Sequence, residues 1–101
     1  MILLNPFSGF QKSIYYFEKL QEMTDYLTEI KNLLASPTLN ILAVKDLYHD
    51  MILDNVLNNP HKVYKYVEEF LANSIYLLEL ADEADARAQL SAATELLLHI
   101  H

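Results

Sequence analysis

Residues 16–34 read YFEKLQEMTDYLTEIKNLL, and their spacing decides the fold. Tyr16, Leu20, Met23, Leu27, Ile30 and Leu34 recur at alternating steps of four and three, which puts them on one edge of an α-helix. Glu18, Glu22, Asp25 and Glu29 follow the same rhythm two residues later. At about 100° per residue they project some 200° from the apolar seam. The stretch therefore predicts a helix with one oily face and one acidic face.

Working outward, Phe10, Ile14 and Phe17 extend the apolar side towards the N-terminus. Ser8 with Gln11 fits a capping box, and Asn5-Pro6 is the competing start. The helix is expected to begin by about residue 9, where the chain has its only glycine, Gly9, and to end at Ala35 before Ser36-Pro37. Ahead of it, Met1, Ile2, Leu3 and Leu4 form an apolar arm (residues 1–5 with Asn5) that needs a home on the core, a second copy or a partner.

Ser36 as cap and Pro37 as first residue predict a second helix reaching about Asn58. Its seam is Ile41, Val44, Tyr48, Met51 and Asn55, widened by Leu39, Ala43, Leu47, Ile52 and Val56. Being apolar over more than half its girth, it is expected to be the most buried helix, with Asp46, Asp50 and Asp54 on a strip facing water. Asn59-Pro60 repeats the cap-and-proline device for a third helix, whose seam is Val63, Val67, Phe70, Ser74, Leu77 and Ala81. Neither glycine nor proline follows Pro60. A break is placed in residues 81–87, where Asp82 or Asp85 can cap a fourth helix with seam Ala86, Leu90, Ala93, Leu97 and Ile100. The alternative is three helices with a last one of about 40 residues, roughly 60 Å long. These seams, joined by short connections, predict one all-α domain over residues 1–101, a compact antiparallel up-down four-helix bundle. Ser74, Ala81, Ala86 and Ala93 are small enough to let the last two helices approach closely.

Composition narrows the function. With 52% hydrophobic residues the chain can build a core. A net charge of −7, distributed over all four segments and densest in the last, opposes direct binding to nucleic acid and to anionic membranes. Cysteine is absent, which excludes disulfides, thiolate metal sites and cysteine nucleophiles. No apolar run approaches the roughly 20 residues of a membrane helix, and the N-terminus lacks the pattern of a signal peptide. A soluble, cytoplasmic protein is expected.

Catalytic patterns are sparse. Asp46 with His49 and Glu95 with His99 have helical spacing, but a di-metal bundle site needs inward carboxylates from several helices, and the first helix turns its acids away from its seam. His49-Asp50 lacks the earlier histidine that helical metal phosphohydrolases require. The serines carry no glycine elbow or phosphate loop. Glu68-Glu69 followed by Glu79-x-x-Asp82 resembles the acidic motifs of all-α nucleotide pyrophosphohydrolases over about 15 residues. That resemblance implies a Mg²⁺-dependent enzyme, although Ala72 stands in the place of the third glutamate. No catalytic residue, metal site or cofactor is assigned.

The surface carries the remaining signal. Tyr15 and Tyr26 lie eleven residues apart, three helical turns, with Glu18, Glu22 and Glu29 along or beside that line. Tyrosine supplies rigid contact area and carboxylates steer a basic partner. The leading expectation is a non-enzymatic protein-binding module, such as an inhibitor, immunity or antitoxin-like protein, or adaptor. It would cover a basic site through Tyr15, Glu18, Glu22, Tyr26 and Glu29. The alternative is a homo-oligomeric structural or chaperone-like subunit, a homodimer built through Met1, Ile2, Leu3 and Leu4.

Overall fold

Four helices account for the regular structure of residues 26–100, the part of the chain that the computed structural model describes. Helix α1 covers residues 26–35, α2 is Ile41–Leu57, α3 is Val63–Glu79 and α4 is Glu83–His99. The protein is an all-α helical bundle. The apolar arm at Met1–Leu4, the Asn5-Pro6 and Ser8–Gln11 starts and the first half of the opening seam lie outside the described residues.

Helix α3 is the centre. It packs on α2 and on α4, which do not pack on each other, and the α3–α4 interface is the larger. Tyr64, Val67, Leu71 and Ser74 on α3 are fully enclosed, facing a core that includes Ile30, Val44, Met51, Leu90 and Leu97. This corrects two expectations. Helix α2 is not the most buried, since only Val44, Leu47 and Met51 are enclosed on it and its second apolar face is left outside. The buried stripe of α3 is also rotated from the expected seam, because Tyr64, Leu71 and Ile75 turn inward while Val63, Phe70 and Leu77 sit at its edge. Between α2 and α4 the third helix must bury a wide stripe, and a single three-four line undercounts it.

The fourth seam is placed as expected, with Ala86, Leu90, Ala93 and Leu97 all buried. Three of the four small residues, Ser74, Ala86 and Ala93, are enclosed at or near the α3–α4 contact, and the Ser74 hydroxyl donates to the Leu71 carbonyl at 2.7 Å. That bond keeps a hydroxyl satisfied in an apolar layer. Midway along the pair, Asn73 Nδ2 donates to Gln89 Oε1 at 3.4 Å, so α4 runs back along α3.

The turns revise the expected helix starts. Asn40, not Ser36, caps α2, its Oδ1 accepting from the Leu42 and Ala43 amides at 2.9 and 3.4 Å. Pro37 lies in a connector outside the helix, which tucks Leu39 into the core. Asn59 is not the cap of α3. It takes φ 44° just after α2, the left-handed stop that asparagine tolerates, and Pro60 follows it as prolines commonly follow a helix end. Helix α3 begins only at Val63, whose amide donates to His61 Nδ1 at 3.2 Å. The break near residue 81 is real and rules out the single long last helix: Ala81 takes φ 60° and Asp82 caps α4, accepting from the Asp85 amide at 3.2 Å.

Candidate protein-binding groove between α1 and α2

Glu29 of α1 and the aspartate row of α2 meet across one groove. Every fourth residue of α2 from 46 to 54 is aspartate, and that spacing lines one edge of a helix. Two open hollows of about 330 and 320 Å³ run along the junction. Tyr26, Glu29, Asp50, Asp54 and Leu57 line the first, and Glu29, Asn32, Asp46 and Asp50 line the second. Glu29 and Asp50 are common to both. Four carboxylates from two helices therefore share a concave strip.

Tyr26 anchors one end of it. The ring packs edge-on against Tyr64, with centroids 5.8 Å apart at 89°. Its hydroxyl donates to Asp54 Oδ2 at 2.7 Å and also lies 3.2 Å from the Asp50 carbonyl. Burial, the bond to Asp54 and the negative charges of Asp54 and Asp50 push the phenol well above its ordinary range, so it stays protonated. Asp54 also accepts from Asn58 Nδ2. The aspartate strip is thus not wholly a wet face. Asp46 and Asp50 are exposed, whereas Asp54 is half-buried and knits α1 to α2.

Of the expected contact residues, Tyr15, Glu18 and Glu22 lie outside the described residues. Glu29 is exposed and in the groove, and Tyr26 is half-buried at its floor with its hydroxyl engaged inside the chain. Sequence reading missed the joining of Asp46, Asp50 and Asp54 to Glu29 of α1. Their four-residue repeat was the available signal, and the rotation of α2 about its axis was the missing quantity.

The other chemistry-bearing residues are dispersed. Glu68 accepts from Asn55 Nδ2 at 2.6 Å and pairs with Lys65 at 3.8 Å, and Asp82 is a helix cap. Glu69 and Glu79 are exposed on α3. Among the described residues no three histidine, aspartate or glutamate side chains gather around a point that could hold a metal ion. Nor is any described helix long and apolar enough to cross a membrane. Compared with known proteins, no protein-family model, no curated protein and no solved structure matches the chain.

Proposed function

We propose that this chain is a non-enzymatic protein-binding module that covers a basic site on another protein, in the manner of an inhibitor or adaptor. The observation that carries the reading is the convergence of Glu29, Asp46, Asp50 and Asp54 on one groove. Like charges crowded on a concave surface raise its field, which draws a basic partner in and pairs with it on contact. The overall charge of −7 adds to that attraction at long range.

The test is capture from the native host's lysate at low salt, eluted by a salt gradient, with the wild-type chain beside a Glu29→Lys, Asp46→Lys, Asp50→Lys variant. Asp54 is left in place because it holds Tyr26. A stoichiometric basic protein should leave as salt rises, and the triple variant should associate with it at least about tenfold more slowly. An association rate unchanged by the three reversals would defeat the proposal.

A further inference from the structure

Helix α2 has two apolar faces. Val44, Leu47 and Met51 enter the core, and on the opposite side Leu42, Leu53, Val56 and Leu57 stand 66, 59, 71 and 68% exposed. At about 100° per residue these four fall within an arc of about 100°. The arc also holds exposed Asp46 and His49, both between Leu42 and Leu53. Leu53, Val56 and Leu57 cluster at the C-terminal end of the helix, and Leu42 stands apart at its second residue. Exposed apolar residues grouped beside charged ones mark an interaction surface.

What covers it is indicated by the charge along its border. Asp50 and Asp54 follow one margin of the cluster, and Leu53 and Leu57 themselves line the first hollow of the groove with Glu29. The opposite margin carries Lys45, the only lysine or arginine of α2. A second copy of the chain would bring another −7, and an antiparallel two-fold pairing would set one aspartate row against the other. An anionic membrane is opposed by the same row. A helix with an apolar stripe and lysines or arginines beside it meets both features at once, its apolar residues on Leu53, Val56 and Leu57 and its cations over Asp46, Asp50 and Glu29.

We propose that the outer face of α2 and its acidic margin form a docking site for a basic amphipathic helix of a partner protein. This rests on the binding-module reading and specifies the partner's form. Val56 is the reporter of choice, since it is the most exposed of the four and the chain contains no cysteine. In Val56→Cys the single thiol reports cover on the cluster through its rate of reaction with iodoacetamide.

The probe is a synthetic peptide of about 18 residues, five turns, made of leucine and lysine with the leucines at helical three-four spacing. A second peptide has the same composition in an order with no helical stripe. In the full-length Val56→Cys chain the thiol is expected to react quickly, at a rate independent of protein concentration. The patterned peptide should slow it about tenfold and the unpatterned one should not, with protection lost when Asp46→Asn and Asp50→Asn are added. Slow reaction at every concentration would mean that the chain's own residues cover the cluster, and reaction that quickens on dilution would mean a second copy. Either result overturns the inference. Equal protection by the two peptides, or none by either, also overturns it, while leaving the acidic groove to be judged by the lysate experiment.

Discussion

Arg87 of α4 donates through Nη1 to the carbonyl of Leu34, in the last turn of α1, at 2.9 Å. Its Nη2 reaches the carbonyls of Ser36 and Pro37 at 2.8 and 3.2 Å. The chain's one arginine therefore closes the C-terminal end of α1, where backbone acceptors are left over and the helix dipole favours a cation. Arg87→Ala should cost about 2–3 kcal/mol in urea unfolding, in the range of lost hydrogen bonds to a charged donor. Arg87→Lys should recover less than half, since an ammonium cannot present the planar fork that spans three carbonyls. Full recovery by lysine would show that charge alone is at work.

Glu83, one turn before Arg87, completes the clasp. Its Oε1 accepts from the Leu39 amide at 2.8 Å and its Oε2 lies 3.5 Å from Arg87 Nε. The Leu39 bond and the neighbouring guanidinium hold the carboxyl below its ordinary value of 4.5, against a smaller opposing effect of burial. A carboxyl with a depressed folded-state pKa adds stability above its unfolded value, and that stability is lost as pH falls through the folded one. The acid limb of wild-type stability should therefore fall more steeply below pH 4.5 than that of Glu83→Gln, the two curves converging at lower pH. Parallel limbs would contradict this.

These two residues explain why the start of α2 departs from the one its sequence predicts. Ser36-Pro37 has the composition of a helix start, but Arg87 and Glu83, some fifty residues on, bind the backbone of the connector and hold it out of α2 until Asn40. Local chemistry cannot register so distant a contact. By contrast, Ala86, Leu90, Ala93 and Leu97 are legible in sequence because the residues that α4 buries all fall on one stripe at three-four spacing. Tyr64 was hidden for the opposite reason, as a polar-tipped ring off the expected seam that is nevertheless 1% exposed. The groove fell between the two cases, its acids readable on each helix and their meeting fixed only by packing.

Tyr26→Phe removes the hydroxyl that ties α1 to Asp54 while keeping the edge-on contact with Tyr64. A loss of about 1–2 kcal/mol near neutral pH is expected. The alkaline limb gives the sharper test. Because the folded state holds the Tyr26 proton more tightly than the unfolded chain, the group's stabilisation is fully present below the ordinary phenol value of 10.0 and declines as pH rises beyond it. Tyr26→Phe should accordingly lose less stability than wild type between pH 10 and 11. A phenolate absorbance change below pH 11 that is smaller in Tyr26→Phe, while both proteins are folded, would show that Tyr26 ionises readily and would refute the assignment.

The turn from α3 to α4 achieves a glycine-type stop without glycine. The Asp82 amide donates to the Leu77 carbonyl at 2.8 Å and the Ala81 amide to that of Leu78 at 3.0 Å, the paired bonds that close a helix on a left-handed residue. Ala81 occupies that left-handed position at φ 60°, where a Cβ crowds the backbone and costs about 1–2 kcal/mol. Ala81→Gly removes the strain but frees the unfolded chain, an opposing effect of roughly 0.4–1 kcal/mol. The substitution should therefore raise stability by about 0.5–1 kcal/mol, visible as a higher urea midpoint at unchanged slope. Val in the same place, β-branched and stiffer, should lower it by more than glycine raises it. Equal midpoints for alanine, glycine and valine would mean that the turn does not hold the left-handed conformation in solution, and that the separation of α3 from α4 rests on Asp82 alone.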